Sequence, residues 1–350
     1  MSDRFAISYT PEFASVLREI NCSLAISTYQ AGKVIFICPG EKFKLLQIPA
    51  SFKKPMGLAF QNDQMAVATV NEIHIYSKNR SMAGSFAERP GFYDALYLPR
   101  AVFCCGDTDL HDLSFGEGGL WAVNTMFSCL STFDVKNSFS PRWKPPFISE
   151  ICPEDRCHLN GMVMLEGLPK FVTALSKTDQ KGGWRENITE TGLIMEVPSG
   201  KILFDQLPMP HSPRISGGYL YVLLSASGAI LKINLKDKTS VVIAETGRFI
   251  RGLAIHGKYL FIGSSKVRKT SKTFGKLAFR EESSFAGILV YDTELNVFVA
   301  DLKYLNTVEE IYDVMLLPAT MRPGLMSFRD KRAEMIVTTP EKIFFKKSKE

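Results

Sequence analysis

Six segments recur along this chain, each a polar or turn-like entrance followed by a short apolar run. They read KPMGLAF from Lys54, DLHDLSF from Asp109, HLNGMVM from His158, HSPRISG from His211, FIRGLAI from Phe249 and EIYDVML from Glu310. They align without gaps on Gly57, Asp112, Gly161, Arg214, Gly252 and Asp313, at successive intervals of 55, 49, 53, 38 and 61 residues. A four-stranded propeller blade takes about 40–50 residues, so these intervals fit blades carrying loop insertions. After each segment the same order is expected: a turn, then a strand-like run such as LWAVN, FVTAL, YLYVLL or YLFIG that ends in polar residues, then two further strands. The pattern predicts an all-β chain folded as a six-bladed β-propeller, in a single domain over 1–350.

Ring closure can be read from what is missing. The sixth segment is followed by Pro318 and by Pro323-Gly324, without a clear full blade. Three strand-like runs, LAISTYQ, KVIFIC and KFKLLQI, precede the first segment instead. N-terminal strands at about 22–50 are therefore expected to complete the last blade, which removes exposed sheet edges. PEFASVLREI, from Pro11, carries the one helical periodicity. EMIVTTPEKIFF near the end can add a further strand of unassigned place.

Composition narrows the function classes. The chain has 350 residues, 45% hydrophobic and 22% charged, as for an ordinary soluble protein, and no apolar stretch long enough for a membrane span. The N-terminus lacks a basic segment followed by an apolar one, so a cytoplasmic location without a secretory leader is expected. Seven cysteines without CxxC pairs read as small core residues and not as a disulfide framework. The net charge of +6 does not by itself imply nucleic acid. Much of the excess lies at 266–280, within a basic insertion expected over about 266–285. It reads either as a solvated loop or as a flap over an anionic ligand. Nucleic-acid and membrane partners are not expected.

Three of the five histidines, His111, His158 and His211, fall at segment entrances. In a propeller, the first strand of each blade lines the central channel, so residues far apart in sequence converge on one face. The first register position holds Lys54, Asp109, His158, His211, Phe249 and Glu310; the third holds Met56, His111, Asn160, Pro213, Arg251 and Tyr312. His111, His158, His211 and Glu310 are thus candidate ligands of a divalent transition metal, Zn, Fe or Mn. Asp109, Asp112 or Asp313 would orient the imidazoles. Arg214 and Arg251 are expected to bind the negative group of a small anionic molecule, and Asn160 and Tyr312 to position it or a reactive water. A competing reading has the same histidines hydrogen-bonding strand ends or touching a ligand directly.

Arg142 and Arg185 are expected to pair with acids such as Asp155 and Asp179. Trp143 and Trp184 either wall a pocket or stack on guanidinium groups. Cys157 should not reach His158, because neighbouring side chains on a strand point to opposite faces. No phosphate-binding glycine loop, dinucleotide fingerprint or GxSxG is present, so no nucleotide cofactor is expected.

DRCHLNG (155–161), together with NTMFSCLSTFD (124–134), FSPRWKPPFIS (139–149), TALSKTDQKGGWR (173–185), MPHSPR (209–214), RGLA (251–254) and EIYDV (310–314), resembles an uncharacterised, bacterial-type conserved-hypothetical family, a domain of unknown function. The resemblance runs over nearly the whole chain. It implies a β-propeller-like architecture and brings no activity with it. Ile215 follows HSPR where that family is expected to carry an aromatic residue, which implies an altered pocket wall with His211 in place. Two functions follow from the residues: a metal-dependent enzyme acting on a small anionic substrate in the axial pocket, or a non-catalytic propeller that binds a ligand or protein on the same face.

Overall fold

A computed structural model describes residues 5–84, 90–267, 274, 275, 277, 279 and 285–345. Six small sheets form a ring, as the six segments predict. The inner strands are Leu58–Gln61, Leu110–Gly116, Leu159–Leu165, Pro210–Ser216, Phe249–His256 and Asp313–Pro318, belonging to blades 1 to 6. Each inner strand touches the next, and the sixth touches the first, so the ring is closed.

Closure occurs where the sequence places it. Asp313–Pro318 pairs antiparallel with Cys22–Thr28, from Ser27 opposite Asp313 to Cys22 opposite Pro318. Lys33–Pro39 and Leu45–Ser51 complete this sixth blade. Blade 6 therefore mixes the two ends of the chain and leaves no open edge between first and last blades. The short strand Ile7–Tyr9 adds an outer edge to blade 5, and Pro323–Leu325 adds a parallel one to blade 1. Neither was expected. EMIVTTPEKIFF forms a separate two-stranded sheet, Ile336–Thr338 with Ile343–Phe345.

The strands are held by β-branched and aromatic side chains that interlock between blades. Phe171 and Ile194 of blade 3 meet Leu220, Val222 and Leu231 of blade 4. Leu223 and Ile230 of blade 4 meet Leu260 and Ile262 of blade 5. Helix Pro11–Glu19 starts with proline at its first turn, where no amide partner is lost. Its Phe13 and Leu17 are fully buried across blades 5 and 6. Each such side chain contributes about 1.5–3 kcal/mol by leaving water.

The polar residues that end the second strands tie one blade to the next. The hydroxyls of Ser27, Thr125 and Ser225 donate to the carbonyls of Met56, Leu159 and Ile250, each at 2.6 Å. Ser265 does the same to Ile311 at 3.2 Å. Every acceptor lies at the entrance of the following inner strand. These bonds tie neighbouring entrances together at four of the six blade junctions, on the face where the candidate site lies. Among the described residues, no helix is long and apolar enough to cross a membrane.

Candidate functional site

The entrances are not regular strand. Lys54, Asp109 and His158, which share the first register position, take left-handed backbone at φ of 51°, 49° and 51°. Non-glycine residues adopt this region at a cost, on the order of 1 kcal/mol each, and do so mainly where surrounding contacts impose it. A bulge follows in blades 2 to 5, where the inner strand slips register against its neighbour between the first and fifth positions. A bulge re-aims side chains. Third- and fourth-position residues therefore both reach the channel, which strict alternation would forbid.

Side chains form tiers along the axis. At the mouth, His158, His211, Phe249 and Glu310 line a cavity of about 200 Å³ with Arg251, Tyr29 and Lys266. Just inside, His111 stands edge to face against His158 at 4.7 Å between ring centroids, and 5.4 Å from Tyr312. The Arg251 guanidinium carbon lies over the Tyr312 ring at 3.4 Å from its centroid, and Tyr29 stacks on Tyr312 at 5.7 Å between centroids. Among the described residues, no carboxylate or carbonyl oxygen accepts from the Arg251 guanidinium. Asn160 is buried; its Oδ1 accepts from the Thr173 hydroxyl at 2.6 Å, while its Nδ2 has no partner among the described residues.

Each of the three histidines is held through Nδ1. His111 Nδ1 is 3.1 Å from the Asp109 carbonyl oxygen and His211 Nδ1 is 3.0 Å from that of Met209. His158 Nδ1 is 3.0 and 3.1 Å from the two carboxylate oxygens of Asp155. No Nε2 of the three makes a hydrogen bond to the described residues. Burial and then the Arg251 charge push His111 and His211 well below the usual imidazole range, so both are neutral. Burial raises the Asp109 carboxyl, against the pull of His158 and Arg251.

The expected site residues divide between this mouth and a second tier. His158, His211, Arg251 and Glu310 line one cavity, with His111 beside His158 and Tyr312 beneath Arg251. Arg214 does not join them. Its Nη1 is 3.0 Å from Asp112 Oδ2 and its Nη2 is 3.6 Å from Asp313 Oδ1, deeper in the channel. Arg214 sits one register position below Arg251, and the bulge turns it to these two carboxylates. Asp112 and Asp313 are correspondingly not imidazole partners. Their carboxylates accept the amides of Met162 at 3.1 Å and Leu58 at 2.9 Å in the following blades. The waist column alternates Gly57, Asp112, Gly161, Arg214, Gly252 and Asp313, so glycines leave room for the charged groups between them. Among the described residues, no group of three or more His, Cys, Asp or Glu side chains stands ready to hold a metal ion.

Loop residues frame the mouth. Arg185 pairs with Asp155 at 3.3 Å and stacks on Trp184 at 4.2 Å, as the acid-pairing and stacking expectations had it. Arg142 differs: its Nε donates to the Thr132 hydroxyl at 2.7 Å. Asp179 pairs instead with Arg156, which also holds Glu150 and Glu154 and so clamps the loop before DRCHLNG. Trp143 donates to the Pro198 carbonyl at 3.0 Å, away from the pocket. Cys157 is fully buried, and burial pushes its thiol up to about 12. Of the basic residues in 266–280, only Lys266 is described; it lies 3.7 Å from Glu309. The remainder of that insertion lies outside the described residues. Sequence reasoning missed Asp155 as the partner of His158, and also Tyr29. The i, i+3 spacing inside DRCHLNG was the available signal for the first.

Fold and cavity together define a six-bladed β-propeller with an arginine- and histidine-lined pocket at one mouth of its axis. By sequence, residues 11–326 match the model of a family described as a domain of unknown function (DUF4915), and the chain belongs to that family. Among solved structures it is similar to a chain of the "Crystal structure of Nidogen/Laminin Complex", with a TM-score of 0.56 at 11% identity, covering 85% of this chain and 99% of that one. It is also similar to a protein of unknown function from Bacteroides caccae, with a TM-score of 0.52 at 10% identity, covering 85% of this chain and 98% of that one. At these identities the likeness shows the fold alone. No curated protein matches by sequence.

Proposed function

We propose that the axial mouth pocket is the working site and that it binds a small anionic molecule. The observation that carries this reading is Arg251. A guanidinium offers five N–H donors, and this one is stacked on Tyr312 at 3.4 Å without a carboxylate or carbonyl acceptor among the described residues. Elsewhere in the channel and loops, Arg214 and Arg156 are fully engaged by carboxylates. Arg251 is the arginine left for a ligand's negative group. The neutral imidazoles beside it and the Phe249 wall supply further contacts of the kind that fix orientation. The size of the cavity, about 200 Å³, suits a small molecule and not a macromolecular segment.

A thermal-shift panel of small carboxylates and phosphates at constant ionic strength tests this. Stabilisation by some members and not others, lost in Arg251→Met, is the expected result. Uniform insensitivity of the wild type contradicts it.

Metal-dependent turnover in the same pocket is favoured by one observation. All three imidazoles are held through Nδ1 and leave Nε2 without a partner among the described residues, which is how metal-binding histidines are commonly oriented. With Glu310 they offer a donor set that suits zinc, iron or manganese. Among the described residues, the side chains as they stand are not gathered into such a site. Elemental analysis of the purified protein decides: a stoichiometric transition metal that is lost in His158→Ala supports this reading, and sub-stoichiometric metal with no uptake on reconstitution removes it.

A further inference from the structure

We propose that Asp155 and His158 form a proton-transfer dyad that serves the molecule bound in the axial pocket. The proposal rests on the reading of that pocket as a small-anion site and adds to it a reaction class, general acid–base catalysis.

The three entrance histidines are not equivalent. His111 and His211 turn Nδ1 to backbone carbonyls. A carbonyl orients a neutral ring but carries no charge to balance an imidazolium. His158 Nδ1 faces both oxygens of a carboxylate at hydrogen-bond distance, Asp155 Oδ1 and Oδ2 at 3.0 and 3.1 Å, whereas the carboxylate beside His111 Nδ1, that of Asp109, stands farther off at 3.5 Å. A carboxylate on Nδ1 fixes the tautomer with Nε2 bare and stabilises the cation formed when Nε2 takes up a proton.

The carboxylate is itself held. Trp184 Nε1 donates to Asp155 Oδ2 at 2.8 Å and Arg185 lies 3.3 Å from the same oxygen. The Trp184 ring also lies against the His158 ring at 4.1 Å between centroids, and the Arg185 guanidinium lies over Trp184 at 4.2 Å. Three side chains, those of Asp155, Trp184 and Arg185, thus fix one imidazole. Asp155 and His158 both take left-handed backbone, at φ of 47° and 51°, and this curls the chain so that residues three apart meet. A histidine that only capped a strand end would need none of this support. With Nδ1 turned to Asp155, the ring edge bearing Nε2 is left for the cavity that His158 shares with Arg251.

The step needs no oxidant or reductant. An O–H or C–H bond of the bound molecule, or of a water beside it, breaks heterolytically. Its electron pair stays on oxygen or carbon, and the proton forms a bond to His158 Nε2. The reverse step returns the proton to the same or a neighbouring atom. Arg251 would hold the anionic group throughout. Among the described residues, the charged and titratable groups around His158 are Asp155, Asp109, His111, His211, Arg251, Arg185, Glu310, Lys266 and Tyr29.

Diethyl pyrocarbonate acylates unprotonated imidazole nitrogen, and mass spectrometry assigns the modified residue. In the intact 350-residue chain, His158 is expected to react faster than His111 and His211, and Asp155→Asn is expected to slow it by about tenfold. Equal reactivity of the three histidines, or no change in Asp155→Asn, overturns the dyad. Because Asp155→Asn removes the acceptor of Trp184, nitrogen-15 NMR of the wild type provides a second measurement. The neutral His158 ring should carry its proton on Nδ1; a proton on Nε2 overturns the proposal. Inorganic phosphate separates the dyad from the pocket reading. Protection of His158 by phosphate in the wild type and not in Arg251→Met supports both. A full Asp155 effect without phosphate protection upholds the dyad and counts against the anion site.

Discussion

Arg214 of blade 4 reaches across the channel to Asp112 of blade 2, with 3.0 Å between Nη1 and Oδ2. The same guanidinium lies 3.6 Å from Asp313 of blade 6. Each carboxylate also accepts an amide of the next inner strand, so the cluster joins all the even blades to their neighbours. Removing the one cation would leave two buried carboxylates uncompensated. Arg214→Met is expected to cost about 3–5 kcal/mol of stability, measured by urea denaturation. Adding Asp112→Asn to it should recover part of the loss, and full additivity of the two changes would show that the pair does not interact.

Two carboxylates against one guanidinium also set a pH dependence. Burial, opposed by Arg214 and reinforced by Asp112, pushes the Asp313 carboxyl up to about 7. In the unfolded chain an aspartate titrates near about 3.9. The folded protein therefore holds an extra proton between these values. Asp313 contributes stability that is fully present below about pH 4 and is lost as pH rises through about 7. Relative to Asp313→Asn, the wild type should lose stability between pH 5 and pH 8, by at most about 1.4 kcal/mol per unit. A constant difference between the two across that range contradicts this.

Gly161 sits at the waist with no room for a side chain. A Cβ there would lie 2.4 Å from Pro213 Cδ and 2.5 Å from Thr173 Oγ1. Gly161→Ala should cost about 1–3 kcal/mol through forced displacement of these neighbours. Gly84, where an added Cβ meets nothing within 4 Å, is the control and should tolerate alanine. Thermal denaturation of both variants distinguishes a local clash from a general intolerance.

Cys157 adjoins His158 in sequence but is fully buried with its thiol pushed up to about 12, whereas Cys104 is exposed. Only the thiolate is nucleophilic. Iodoacetamide at pH 8 should alkylate Cys104 in the native protein and spare Cys157 until the chain is denatured. Rapid native labelling of Cys157 would show that the entrance strand opens.

The ring and its closure were legible because they are repeated demands. Every blade needs a turn and an apolar run at a similar interval, and a sixth segment without followers requires strands from elsewhere. Pro323–Leu325 was not legible, since three residues with Pro and Gly carry no strand signal and pair only because blade 1 offers an edge. Convergence of His158, His211, Arg251 and Glu310 followed from register alone. The separation of Arg214 from Arg251 did not, because the bulge that divides them depends on the facing strand. The Asp155–His158 pairing required two left-handed residues within one short motif, and backbone conformation of that kind is imposed by tertiary contacts.

The central claim is that the axial pocket binds an anion on Arg251. Calorimetric titration of inorganic phosphate and acetate into the wild type and Arg251→Met, at fixed ionic strength, tests it most directly. Saturable binding of at least one of them to the wild type, weakened by about tenfold or more in Arg251→Met, is the predicted result. No saturable binding, or equal affinity in the two proteins, would contradict it.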